Sequence, residues 1–386
     1  MIETKFKQTE LGPLPEDWDV TPISKCLSFG NGRDYKHLDS GIYPVYGTGG
    51  LITHINDFLY EGESVCIGRK GSIDKPQFHS GKFWTVDTLY YTHSFNDVIP
   101  KYVYYCFLCI NWRSLNEASG VPSLSQRIIG GQYIRVASSV YEQRKIAEAL
   151  SDIDALIREF DTLLEKKRSI MQAAMQDLLT ARRRLPGFDE PWKNIIFGNV
   201  VDIYRGGSPR PIDSFITTNP NGLNWIKIGD VRPNDKYITH TAEKIMPEGL
   251  PFTRMVYAGD FILSNSMSFG RPYILKIDGC IHDGWLAITK YESSFDKDFL
   301  YYLLGSNFVY RQYTTLAAGS GVLNLNKKVV RDIEFTVPMI DEQQAIASIL
   351  SDMDAEIEEL EAKRDKYIAV RQGMMQQLLT GKIRLI

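Results

Sequence analysis

The sequence predicts an α+β protein: two mixed α/β globular segments separated by two long, mutually similar helices that form an antiparallel coiled coil in a pseudo-two-fold arrangement. The first observation behind this is a duplication. EQRKIAEALSDIDALIRE from Glu142 returns as EQQAIASILSDMDAEIEE from Glu342, and the match runs without a gap to Leu179-Thr180 and Leu379-Thr380. About 20 of the 45 positions between Tyr141 and Leu185 are identical to those 200 residues on, more than heptad composition alone would produce. The second observation is an apolar stripe sustained along both copies, and the third is a set of short apolar runs bounded by glycine between them. The spacing divides the chain into residues 1–140, 141–185, 186–340 and 341–386.

In the first globular segment, LPEDW ends at Trp18, the Ser64–Ile67 run reads as a strand and Lys101–Ile110 as a short helix. The first long helix carries Ile146, Leu150, Ile153, Ile157, Phe160, Leu164, Met171, Ala174 and Leu178 at steps of four and three, interrupted by Lys167. Ser139 with Glu142 has capping-box spacing at its start, and Pro186-Gly187 follows its end. The second segment answers the first at landmarks: FDEPW ends at Trp192, Tyr301-Tyr302 answers Tyr104-Tyr105, and SGVLNLN from Ser320 answers SGVPSLS from Ser119. Phe261–Leu263 reads as a strand and Phe299–Leu304 as a helix. The second long helix places Ile346, Leu350, Met353, Ile357, Leu360, Tyr367, Met374 and Leu378 on the matching stripe, with Arg364 and Arg371 as exceptions. Asp341 with Gln344 repeats the cap spacing, and Gly381 marks the end. Helices of about 40 residues are roughly 60 Å long at ~1.5 Å per residue and are unstable alone in water, so they pair with each other or with partner chains.

Composition narrows the function. The 386 residues suffice for several domains, and the apolar runs are too short and too charged to span a membrane, so a soluble, cytoplasmic chain is expected. Five cysteines argue against a disulfide framework, and the Cys106/Cys109 pair, set among aromatic and aliphatic residues, reads as core packing. The net charge of −3 gives no bulk basicity; most of the acidic excess lies in the last helix, so a DNA-binding face requires charge sorted to one side. There is no GxxxxGK[ST] and no strand-flanked GxGxxG. Gly47-Thr48-Gly49-Gly50 and Asn219-Pro220-Asn221-Gly222 read as turns.

Divergent globular segments alternating with similar long helices resemble the specificity (S) subunit of type I restriction-modification enzymes over essentially the whole chain. The residues carrying the resemblance are the tandem EQ-x-x-IA-x-x-LSD-x-DA helices, their LLT endings, the LP-x-x-W at Leu14–Trp18 and the GGSPRP turn from Gly206. The first segment has Gly30-Asn31-Gly32-Arg33 at that turn and no proline, which suggests a different recognition subclass. The resemblance implies two target recognition domains, each reading half of a bipartite double-stranded DNA sequence. It also implies helices that set the spacing and dock two methyltransferase (modification) subunits. Restriction subunits join the same complex. The chain itself is then expected to be non-catalytic and to hold no cofactor or metal, with S-adenosylmethionine, ATP and Mg on the partner subunits, in defence against foreign DNA.

Base reading calls for Arg or Lys, Asn or Gln, and Ser or Thr on loops and helix starts. In the first segment these are Arg33, then Arg69, Lys70 and Ser72 in a Gly-bounded loop, then Ser125, Gln126 and Arg127 before the helix. In the second they are Arg205, Ser208 and Arg210 at the GGSP turn, Asn265, Ser266 and Arg271 in the middle, and Asn324, Asn326 and Lys327 near the end. The subunit-interface candidates are Leu150, Ile157, Leu164, Lys167 and Leu178 on one helix and Leu350, Ile357, Arg364, Arg371 and Leu378 on the other. Lys167, Arg364 and Arg371 are expected to weaken homotypic pairing and leave openings for partner helices. His282-Asp283 is read as a structural hydrogen bond rather than a general base, and Glu361-Ala362-Lys363, an E-x-K on a helix, does not make a nuclease core. The alternative is a coiled-coil scaffold with two ligand- or protein-binding domains.

Overall fold

The computed structural model describes residues 5–232, 235–265, 269–317 and 325–386. They form two compact units: residues up to Thr162 with Glu361–Ile386, and Leu163–Leu360. Both long helices, Val140–Leu178 and Ile340–Leu378, are thus shared between the units.

Unit one holds two four-stranded sheets. One runs Gly50–Ile55, Ser40–Gly47, Lys82–Thr85, Tyr60–Glu61; the other runs Ser28–Asn31, Leu89–His93, Ser64–Gly68, Gln77–His79. Every residue of Ser64–Gly68 is buried, so a continuous apolar run rather than an alternating one marks it in the sequence. Unit two repeats the order with five strands in each sheet: Ile216–Thr217, Glu243–Ile245, Leu223–Ile226, Gly279–Ile281, Arg254–Val256, and Asp202–Arg205, Trp285–Thr289, Phe261–Ser264, Pro272–Leu275, Tyr237–Ile238. Each unit pairs corresponding strands in parallel, Lys82–Thr85 on Ser40–Gly47 and Gly279–Ile281 on Leu223–Ile226, and unit two adds a second parallel pair, Tyr237–Ile238 on Pro272–Leu275. The two globular segments therefore share one topology. A helix follows the sheets in each, Pro100–Leu108 and Lys297–Leu304.

That helix packs on a long helix through matching bonds. Tyr105 Oη meets Ser151 Oγ at 3.2 Å and donates to Asp154 at 2.8 Å; Tyr302 Oη meets Ser351 and Asp354 at 3.3 Å each. Gln143 and Gln343, both buried, accept from the backbone N–H of Ile99 and Asp296 and donate to the carbonyls of Ala137 and Pro338. The repeated E-Q and L-S-D-x-D letters are thus the helix side of a helix-to-domain joint.

Glu142 departs from the capping role expected of it, and Glu342, its repeat partner, has the same surroundings. Each is buried and receives a bidentate guanidinium, from Arg384 at 2.7 and 2.9 Å and from Arg184 at 2.7 and 2.8 Å, and an indole N–H, from Trp18 at 3.1 Å and Trp192 at 3.0 Å. A charge so buried is satisfied by a paired fork rather than by the helix start. The first helix also ends earlier than Pro186-Gly187. Ala181 and Gly381 take φ of 56° and 67° at matching positions beyond the helix ends, and a Cβ on Gly381 would sit 2.4 Å from Pro15.

The heptad stripe faces the core of each unit, buried at most positions and half-buried at Phe160, Ala174, Met353, Leu360, Tyr367 and Met374. Leu150 and Leu378 lie in the core of unit one with Trp18, Tyr105 and Trp112; Leu164, Leu178, Leu350 and Ile357 lie in that of unit two with Phe197, Phe261 and Tyr302. Ile157 is half-buried. The polar interruptions form ion pairs between the helices: Lys167 with Glu356 at 2.6 Å, Arg364 with Asp161 at 3.6 Å, and Arg371 with Asp154. Within the chain these three residues each pair with an acid of the other long helix. Cys106 is buried as expected, whereas Cys109 is exposed.

Candidate nucleic-acid interface

In unit one, three of the polar clusters found in the sequence converge. The strand Ser28–Asn31 pairs with Leu89–His93, and the turn after it carries Arg33, whose N–H donates to Thr85 O at 2.8 Å and whose carbonyl accepts from Trp84 Nε1 at 2.8 Å. Only glycine fits at position 32, where a Cβ would sit 1.9 Å from Val86 O. Beyond the buried strand Ser64–Gly68, Arg69 and Lys70 are exposed while their backbones are held: Arg69 N donates to Thr88 O, Leu124 N donates to Arg69 O at 3.0 Å, and Lys70 bridges to Ser123. Ser72 is half-buried in the same loop. Ser125 caps the short helix Gln126–Gly130 by accepting from Ile128 N, Gln126 Nε2 donates to Asn31 Oδ1 at 3.1 Å, and Arg127 is exposed. A rigid scaffold thus presents Arg33, Arg69, Lys70 and Arg127 to solvent, the arrangement a loop-borne binding face needs.

Unit two builds the corresponding corner from different residues. Gly206 and Gly207 permit close approach, since Cβ atoms there would lie 2.1 Å from His282 O and 2.6 Å from Phe252 O. This places Ser208 Oγ 3.1 Å from Asp283 Oδ1 and the exposed Arg210 guanidinium 4.0 Å from Oδ2. His282 Nε2 lies 2.9 Å from Oδ1, so the His282–Asp283 pair is the structural bond the sequence suggested. Arg205 is exposed at the strand end, and the neighbouring Tyr204 ring takes Arg254 at 4.6 Å and Lys327 at 5.6 Å. Asn326 caps Lys327–Arg331 as Ser125 caps its helix. Leu325 N donates to Asn265 O at 2.8 Å as Leu124 N does to Arg69 O, which puts Asn265 where Arg69 stands.

Asn265 differs in exposure. It is buried, and its Nδ2 donates to Asp283 O at 2.8 Å, so its amide holds a loop in place. Arg271 is exposed, with its N–H on Ser264 Oγ. Ser266 and Asn324 lie outside the described residues. Sequence reasoning gave His282-Asp283 no place at the interface; the signal that could have found it is the glycine pair at 206–207, which demands a close backbone partner.

No helix among the described residues is long and apolar enough to cross a membrane, and no group of three or more metal-ligating side chains occurs among them.

A sequence profile of the type I restriction modification DNA specificity domain matches residues 15–166 and 189–368. The chain is 23% identical to the putative type I restriction enzyme MjaX specificity subunit and to the MjaVIII specificity subunit, both from Methanocaldococcus jannaschii. Each match covers 99% of this chain and 97% of the relative. Its fold is similar to that of the S subunit of the type I restriction-modification system from M. genitalium, with a TM-score of 0.64, 15% identity and coverage of 98% and 99% of the two chains. With two matches that together take in most of its length, the chain belongs to the type I restriction modification DNA specificity family.

Proposed function

We propose that the chain is the non-catalytic specificity subunit of a type I restriction-modification complex and reads a bipartite target in double-stranded DNA. Residues 1–140 and 186–340 act as target recognition domains. The first reads DNA through Arg33, Arg69, Lys70, Ser72 and the Ser125–Arg127 turn; the second reads it through Arg205, Ser208, Arg210, Arg271, Asn326 and Lys327, with Asn265 as a support. Ser266 and Asn324, outside the described residues, belong to this set on sequence alone. The observation that carries this reading is that two segments with diverged sequences share one strand order and present polar residues from the same three connections. That is the pattern of a common scaffold whose loops determine what is bound.

The helices at 141–185 and 341–386 act as an antiparallel coiled-coil spacer. The ion pairs within each unit support this, since residue numbers rise on one helix as they fall on the other. Because the stripe residues are used within the chain, the outer faces are the docking surface for two modification subunits, with Leu163 and Ile170, one heptad apart and exposed, as anchors. Restriction subunits join through that core, and S-adenosylmethionine, ATP and Mg belong to the partners. The setting is cytoplasmic.

The test is to map methylated adenines genome-wide in cells carrying the complete system, with and without this chain. A bipartite motif should appear only with it. Methylation that does not depend on the chain would overturn the reading.

A further inference from the structure

We propose that Asp283 is a specificity-determining positioning residue, orienting Arg210 to read a guanine in the half-site bound by the second globular segment; this rests on the DNA-recognition reading above. The geometry begins with the histidine. Gly284 N–H donates to His282 Nδ1 at 3.0 Å, so Nδ1 is an acceptor and the ring proton sits on Nε2. Nε2 then donates to Asp283 Oδ1 at 2.9 Å, and Ser208 Oγ reaches the same oxygen at 3.1 Å. Asn265, itself buried, fixes the backbone by donating to Asp283 O at 2.8 Å. With Oδ1 occupied and the backbone held, Oδ2 is aimed at the guanidinium of Arg210, 4.0 Å away.

A carboxylate on a DNA-approaching face is repelled by phosphates, which disfavours it as a general affinity device. It is useful when it orients a cation toward a base edge, because a guanidinium aligned by one carboxylate presents its remaining N–H pair to the O6 and N7 of guanine. The Arg210 side chain is 84% exposed, which leaves that pair open to a ligand. Ser208 and His282 hold the carboxylate before DNA arrives, so on binding only the Arg210 side chain has to be ordered, closing from 4.0 Å onto Oδ2.

The experiment is methylome mapping in cells carrying the complete system with wild type, Asp283→Asn, Arg210→Ala or the double substitution, alongside the thermal midpoint of each purified assembly. Asp283→Asn should relax one guanine of one half-site by roughly tenfold or more in discrimination. Arg210→Ala should relax the same base, the double substitution should add little, and the other half-site should be unchanged. Wild-type half-sites retained in Asp283→Asn, or relaxation at a different base from Arg210→Ala, would overturn the proposal. Uniform weakening across all sequences would also overturn it, since that marks a phosphate contact. If Asp283→Asn lowers the thermal midpoint, Ser208→Ala removes one support and keeps the carboxylate; it should loosen the same base, and an unaltered motif there would count against the proposal. Absence of any chain-dependent motif in wild type would instead overturn the DNA-recognition reading.

Discussion

Arg384→Ala tests whether the buried Glu142 site holds unit one together. Glu142 is 1% exposed, and in the folded chain its carboxylate accepts from Arg384 Nε and Nη2, from Trp18 Nε1 at 3.1 Å and from Leu385 N at 3.3 Å. Arg384 also grips Asp17 at 2.7 and 2.9 Å, and this guanidinium holds the Asp17 carboxyl below its usual range. Deleting the arginine leaves Glu142 with two neutral donors and no countercharge. Removing one partner of a buried pair costs about 3–5 kcal/mol; the two surviving donors and the 13% exposure of the Arg384 side chain put the expected loss near the low end, about 3 kcal/mol.

For a unit of this size, a loss of about 3 kcal/mol lowers the melting midpoint by roughly 6–12 °C. Differential scanning calorimetry gives the midpoint, and hydrogen exchange locates the change, which should centre on residues 14–18, 142 and 381–385. Arg384→Lys should recover only part of the loss, because an ammonium cannot reproduce the two-toothed contact. Lys382→Ala, at an exposed neighbouring position, is the control. A loss under about 1 kcal/mol for Arg384→Ala, with exchange unchanged at Trp18, would refute the claim that the ion pair fastens the end of the second helix to the first segment.

Other outcomes are equally direct. Burial holds His79, stacked 3.6 Å from Tyr46, down at about 4, so the unfolded chain takes up this proton at higher pH than the folded one. Stability should therefore fall as pH drops from about 6.5 to 4, by no more than about 1.4 kcal/mol per pH unit from this group; urea titrations of His79→Gln should show a shallower slope in that window, and equal slopes would refute it. Arg69→Ala with Lys70→Ala should weaken DNA binding by the assembled complex and, if both touch phosphate, reduce the log–log salt slope by about 1.8; an unchanged affinity and slope would exclude the loop. Inserting one heptad in both helices, between Thr162 and Leu163 and between Lys363 and Arg364, adds about 10 Å to the spacer. The preferred gap between half-sites should grow by about three base pairs in methylome mapping, and an unaltered gap would show that the helices do not set it.

Elements with a local signature were legible in the sequence. The duplicated helices were read to within a residue or two at their starts because heptads and charge patterning are properties of contiguous sequence, and Ser64–Gly68 was visible because a fully buried strand needs an uninterrupted apolar run. The role of Glu142 was not legible. Capping-box spacing and a buried ion pair place the same residue type at the same offset, and only Arg384, 242 positions away, distinguishes them. The stripe leucines were legible as buried but not as to what buries them. Leu150→Asp would therefore unfold unit one before it reported on any partner, whereas substitutions at exposed Leu163 and Ile170 address docking alone.

The binding corners show why specificity was harder to read than fold. Both units meet the same backbone demand after their first sheet strand, Gly32 against Val86 O and Gly206 against His282 O, so a glycine there is dictated by the fold and carries no information about DNA. What differs is what the opposing strand supplies at that closest approach. Arg33 in unit one has only backbone bonds in the described structure, to Thr85 and Trp84, while in unit two Asp283 gathers Ser208, His282 and Arg210. A one-dimensional scan scores Asp283 as an acidic residue on a neutral segment and passes over it. In three dimensions it stands among the donors that surround it, a grouping made by long-range strand pairing that no contiguous stretch of sequence contains.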